Sequence, residues 1–142
     1  LPADAAVFAA AVADWRVASA SDRKMKKTKG GLPKLEFAEN PDILAKVAQM
    51  KKGRPSLVVG FAAETDDVVE NATAKRKRKG VDWIVANDVS GPVGESVMGG
   101  SHNAVHIVRG KGVEELPEMP KEDVARTLVE RIVAALDGDR AE

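Results

Sequence analysis

The chain has 142 residues, 44% of them hydrophobic, with 22 basic residues balanced by 22 acidic ones and no cysteine. That length suits one domain with a real core. The charge balance argues against a chain built globally for nucleic acid or an anionic membrane, and the missing thiols exclude disulfides, thiolate catalysis and cysteine-ligated zinc.

Residues 5–12 are an apolar run of small and β-branched side chains, stopped by Asp14, Trp15 and Arg16. Such a run bounded by charge predicts a strand buried on both faces. Residues 15–39 are polar and aperiodic, with Gly30, Gly31 and Pro33 as breakers. They predict a long functional loop, holding the cluster Lys24-Met25-Lys26-Lys27 and a short strand at residues 35–37. Asn40-Pro41-Asp42-Ile43 reads as a helix start: Asn40 as N-cap, Pro41 in the first helical position and Asp42 at the positive end of the dipole. Ile43, Leu44, Val47 and Met50 would form its apolar face, and Lys51, Lys52 and Gly53 its end.

Residues 56–62 predict a second buried strand. A second helix follows, with Thr65 or Asp66 as its cap and the basic run 75–79 before Gly80 as its end. A third strand over residues 81–86 stops at Asn87 and Asp88, and residues 89–103 form a second long loop rich in Gly and Ser. Residues 103–109 alternate as an edge-side strand, Gly110-Lys111-Gly112 is a turn, and residues 113–116 would return as a hairpin. Residues 121–136 are amphipathic, with Val124, Leu128, Ile132 and Leu136 on one face, before a tail expected to fray from Asp137. Alternating strands and helices predict an α/β fold, a mainly parallel sheet flanked by helices.

In a parallel sheet the strand ends at Asp14, at residues 61–64 and at Asn87-Asp88 share one edge, where ligands of open α/β sheets lie. Any one of these polar ends reads more readily as a cap or turn than as a site; three of them beside two long loops favour a site. Lys75 and Lys79, four residues apart, share a helix face and could hold a polyphosphate as point charges. Nucleic acid is the other reading of the basic run, weakened by zero net charge and few aromatics. His102 and His106 have no clustered carboxylates or thiols beside them and make a weak metal site, so no metal ligand is assigned. There is no glycine-rich dinucleotide fingerprint and no Walker loop. No apolar run spans a bilayer, no signal peptide pattern is present, and the lack of cysteine suits a cytoplasmic, reducing compartment.

The motifs Ala10-Ala11-Val12-Ala13-Asp14-Trp15-Arg16, Lys24-Met25-Lys26-Lys27, Asn40-Pro41-Asp42-Ile43, Gly60-Phe61-Ala62-Ala63-Glu64-Thr65, Lys75-Arg76-Lys77-Arg78-Lys79 and Ala86-Asn87-Asp88-Val89 occur in this order. The ordered set resembles bacterial phosphopantothenoylcysteine synthetase, the ligase half of the bifunctional coenzyme A biosynthesis flavoprotein, over residues 3–137. The resemblance implies a modified Rossmann-like fold, a homodimer of the full ligase domain and a larger oligomer with the decarboxylase half. It implies CTP as co-substrate with Mg2+, and 4'-phosphopantothenate and L-cysteine as substrates. FMN is expected only in the decarboxylase domain, which these residues do not include. Carried over, Ala10, Asp14, Lys24, Asn40, Pro41, Asp42, Ile43, Phe61, Lys75 and Lys79 would contact CTP, with Lys24 the catalytic residue; Asn87 and Asp88 are a possible further site. The family's glycine-rich strand–turn–helix and the Ser-Ser-Gly-Lys-Met-Gly-like segment after it are not found here. The chain therefore reads as the C-terminal part of one ligase domain, expected to be inactive alone. The alternative reading is a nucleotide-binding regulatory module without catalysis.

Overall fold

The apolar runs at Leu57–Glu64 and Trp83–Asp88 form the centre of the sheet, with side chains buried on both faces. The first run, expected to be buried in the same way, instead forms the short strand Ala5–Phe8 at the end of the described strand order, with Val7 46% exposed. The structure is a computed structural model and describes residues 2–9, 15–18, 36–89 and 102–140. In chain order the elements are β1 (Ala5–Phe8), β2 (Trp15–Val17), β3 (Phe37–Glu39), α1 (Ile43–Ala48), β4 (Leu57–Glu64), α2 (Val68–Lys79), β5 (Trp83–Asp88), β6 (His102–Asn103), β7 (Val105–Arg109), β8 (Gly112–Glu115), β9 (Met119–Pro120) and α3 (Lys121–Arg140). They fall into two compact units, one of Leu1–Ala9 with Leu44–Glu142, the other of Ala10–Ile43.

The first unit is built on a five-stranded sheet in the order β1-β4-β5-β7-β8. β1, β4 and β5 run parallel, with Val7 beside Val59 and Val59 beside Trp83; β7 and β8 complete the sheet antiparallel. Strand alternation divides the core into two layers. Leu57, Val59, Trp83, Val85, Val105 and Ile107 point to α3, where they meet Val124 and Leu128. Val58, Ala62, Ile84, Ala86 and Val108 point the other way, to Ala48 of α1 and Ala72 of α2. The fold is thus the expected α/β sheet, parallel in its core and flanked by helices, with an antiparallel hairpin that makes the whole a mixed sheet. Gly60 sits where α1 comes closest: a β-carbon there would lie 2.5 Å from Leu44 Cδ2 and 3.3 Å from Ile84 Cδ1.

The second unit contains a small antiparallel ladder that pairs Trp15 with Glu39 and Val17 with Phe37. This corrects the reading of residues 15–39 as loop apart from one short strand. The ladder is formed by partners some twenty residues apart, which no local periodicity reports. The expected strand at residues 35–37 lies two residues later, at Phe37–Glu39.

Other boundaries move for identifiable reasons. α1 starts at Ile43, not Pro41, and ends at Ala48, because Arg54 Nε donates to the Ala48 carbonyl at 2.6 Å and closes the helix there. β4 runs on through Glu64 and β5 through Asp88, since they pair with each other to that point. The cap of α2 is Asp67, in the left-handed conformation (φ 42) and without a side-chain cap bond, rather than Thr65 or Asp66. Residues 102–109 divide into β6 and β7, which belong to different ladders. α3 continues past Asp137 to Arg140. Its apolar stripe packs as expected, with Ile132 and Leu136 against the layer that Val124 and Leu128 enter.

Candidate functional site

The carboxyl edge of the parallel strands carries the matched residues of the first unit. Glu64 and Asp88 are in register as the last residues of β4 and β5, with Ala63 beside Asn87 one step back and Phe61 beside Val85. Alternation therefore assigns these residues to opposite faces. Phe61 and Asn87 lie on the α3 face, where Phe61 packs partly buried on the core. Glu64 and Asp88 lie on the face covered by α1 and α2.

Lys75 meets this edge through Glu64. Its Nζ is 2.6 Å from Glu64 Oε1. The lysine side chain is 35% exposed and the glutamate side chain 11%. The Glu64 carbonyl also accepts the N–H of Val89 at 2.9 Å, tying the end of β4 to the residue after Asp88. Helix geometry explains the reach: side chains lean towards the helix N-terminus, which for α2 is the end nearest the carboxyl edge. Lys79 lies one turn further on, about 6 Å along the axis. Its own carbonyl accepts from Gln49 Nε2 at 3.2 Å. The rest of the basic run diverges. Arg76 Nη1 donates to the Val81 carbonyl at 3.3 Å, and Lys77 and Arg78 are exposed. The five basic residues therefore do not act as one strip.

Three buried polar atoms near this edge have no hydrogen-bond partner among the described residues: Asn87 Oδ1, His106 Nδ1 and Glu64 Oε1, whose close contact with Lys75 Nζ is an ion pair without hydrogen-bond geometry. His106 is paired in register with Ala86, and its Nε2 is 3.9 Å from Glu115 Oε1. His102 belongs to the separate β6–β9 ladder, so the two histidines do not share one strand. Among the described residues no three His, Asp or Glu side chains gather as a metal site.

In the second unit Arg16 of β2 donates from Nη1 to the Glu39 carbonyl at 2.8 Å and to Asn40 Oδ1 at 3.3 Å. Asn40 is thus held by Arg16 just before the segment Pro41, Asp42 and Ile43, all three of which are exposed. Ala10, Asp14 and Lys24 lie outside the described residues, as does most of the expected loop at 89–103. Sequence reasoning did not single out the Glu64–Lys75 contact or the Arg16–Asn40 contact. The one available signal was a charged residue closing each apolar run.

Comparison with known proteins gives a consistent result. A family model for the DNA/pantothenate metabolism flavoprotein C-terminal domain matches residues 1–136. The coenzyme A biosynthesis bifunctional protein CoaBC of Escherichia coli K12 is 44% identical over 130 residues, covering 90% of this chain and 31% of that protein. A crystal structure of the C-terminal domain of a CoaBC protein superposes with a TM-score of 0.66 at 33% identity, covering 95% of this chain and 58% of that one. A Cab2 H337A mutant in complex with phosphopantothenate-cysteine shares the fold at 14% identity, with a TM-score of 0.57 over 82% of this chain and 36% of that one. The chain spans about a third of the length of the curated relatives it matches.

Proposed function

The chain belongs to the DNA/pantothenate metabolism flavoprotein C-terminal domain family, and from that premise we propose that it works in coenzyme A biosynthesis as part of a CTP-dependent phosphopantothenate–cysteine ligase. The carboxylate of 4'-phosphopantothenate attacks the α-phosphorus of CTP, and pyrophosphate leaves. The amine of cysteine then attacks the acyl carbon of the acyl-cytidylate, giving the amide and CMP. What supports this reading is that Phe61, Asn87 and Asp88, which the resemblance matches to a nucleotide-using ligase, lie towards the carboxyl ends of adjacent parallel strands, on the two faces of the sheet, and that Lys75 pairs with Glu64, the residue that ends β4.

The residues have separable tasks in this scheme. Lys75 and Lys79 offset phosphate charge, lowering the repulsion felt by an incoming carboxylate. The residues that the resemblance assigns to CTP contacts are Ala10, Asp14, Asn40, Pro41, Asp42 and Ile43 in the second unit and Phe61 in the first. Lys24 stabilises the charge that builds on the α-phosphate as the carboxylate attacks, and on the acyl oxygen as the cysteine amine attacks the acyl-cytidylate. Asn87, whose side-chain oxygen has no partner among the described residues, offers an acceptor to a substrate N–H or hydroxyl. Magnesium would add charge neutralisation at the triphosphate. Such sites rest on one or two carboxylates and the substrate's own phosphates, and Asp88 is the carboxylate that ends β5 at this edge.

Isothermal titration of CTP and ATP, each with and without magnesium, tests the reading. It predicts CTP binding that magnesium strengthens and a weaker response to ATP. A preference for ATP argues against it.

A further inference from the structure

Glu64 is the only charged residue in the core among the described residues, 9% exposed. It has no place in the roles assigned above. The carboxylates of other ion pairs in the first unit are more open to water: Asp82 at 36% and Glu114 at 30% side-chain exposure, against 11% for Glu64. A carboxylate in such a position is costly unless it is paired, and replacing a buried ion pair with apolar groups is often neutral or stabilising. Attachment of α2 to the sheet does not require one, because Val68 and Ala72 already pack into the layer beneath it.

What Glu64 does do is fix an ammonium. A lysine on a half-exposed helix face has four rotatable carbons and no reason to lie against a sheet end. With Glu64 Oε1 2.6 Å from its Nζ, Lys75 is drawn back over the carboxyl edge. An ammonium has three donors, and one carboxylate contact leaves others for a second anion. The Glu64 backbone is itself anchored by pairing with Asp88 and by the Val89 N–H, so the carboxylate is presented from a rigid point.

We infer that Glu64 is a positioning residue for nucleotide binding: its buried carboxylate holds the Lys75 ammonium at the carboxyl edge of the sheet, ready to take a phosphate oxygen of the triphosphate. This inference rests on the ligase reading and adds to it a residue that touches no substrate. It also reverses a simple electrostatic expectation. If Glu64 acted only through its charge, removing it would tighten polyphosphate binding; as a positioning group, removing it loosens binding.

The test is titration of CTP into the polypeptide that carries this domain, as wild type and as its Glu64→Gln and Glu64→Asp variants, with circular dichroism and melting curves for each. Loss of one charge-assisted contact predicts a Kd raised about tenfold or more in Glu64→Gln, with the spectrum unchanged. Glu64→Asp, which keeps the charge but is shorter by one methylene, should recover part of the affinity. In a Lys75→Met background, Glu64→Gln should weaken binding no further. A Glu64→Gln variant that binds CTP as well as wild type, or more tightly, overturns the inference while leaving the ligase reading in place. Should Glu64→Gln fail to fold, Glu64→Asp decides: weakened binding in a folded variant supports the role and unchanged binding overturns it. Wild-type protein that binds no CTP overturns both.

Discussion

Lys75 and Glu64 carry unequal shares of the ion pair they form. Lys75 is a third exposed and can swing into water when its partner is removed, whereas Glu64 cannot. Lys75→Met should therefore destabilise the fold by about 1–3 kcal/mol, below the range for a fully buried pair because of the lysine's exposure. Glu64→Gln should cost less than about 1 kcal/mol. Urea unfolding of both variants reads the asymmetry directly; equal losses would contradict it. A practical consequence is that lost activity in Lys75→Met alone mixes folding with binding, which the double variant avoids. At this scale the sequence reading found the lysine through its spacing but not the glutamate that holds it. The contact joins a strand end to a helix position eleven residues later, and its geometry depends on how the helix folds back. The cap of α2 failed for a similar reason. Thr65 and Asp66 are good capping types, but Thr65 Oγ1 lies 3.4 Å from Asp66 Oδ2 and the Asp66 carbonyl accepts Asn71 Nδ2 at 2.7 Å, leaving the turn to Asp67.

Among the elements, the β7–β8 hairpin is fastened to α3 by one carboxylate. Glu114 accepts both Nε and Nη2 of Arg131 at 2.9 Å, and Arg109 Nη2 donates to it from the other side while its guanidinium lies 4.8 Å from the Trp83 ring centroid. The hydrogen bonds from Arg131, helped by the charges of both arginines, hold the Glu114 carboxyl below its ordinary value of 4.5 against the opposing effect of its burial. A depressed carboxylate contributes stability that is present above its unfolded value and lost as pH falls through its folded one. The melting temperature should therefore drop more steeply with acid below about pH 4.5 in wild type than in Glu114→Gln. Parallel acid profiles in the two proteins would show that the clamp contributes nothing. A second prediction concerns α1. Gly60→Ala must displace the tip of the half-buried Leu44 side chain, at the low end of overpacking costs, about 1 kcal/mol, and adding Leu44→Ala should return part of that loss. Additive melting shifts in the double variant would contradict the close approach. The strands and α3 were legible because their apolar patterns repeat at the periods of strand and helix. α1 was overextended because what ends it, Arg54, acts through the tertiary fold. The β2–β3 ladder was missed because its partners are distant in sequence.

For the molecule as a whole, family membership was more legible than site geometry. The ordered motifs of the sequence pointed to the family that the comparisons then found over residues 1–136. The carboxyl edge follows from the parallel pairing of β1, β4 and β5, which apolar runs alone predict. The division of the edge into an α3 face with Phe61 and Asn87 and an α2 face with Glu64 and Lys75 was not legible, since it depends on which residue of each strand is in register with which. Among the described residues no helix is long and apolar enough to cross a membrane. Lys24 is the residue on which the ligase and the regulatory-module readings differ most. The decisive measurement is pyrophosphate release from CTP on adding 4'-phosphopantothenate and cysteine, made with the polypeptide that carries this domain and with its Lys24→Gln variant. The account predicts CTP-dependent release in the parent and its loss in a Lys24→Gln protein that keeps its melting temperature. Undiminished turnover in that variant, or no CTP-dependent release in the parent, would contradict it.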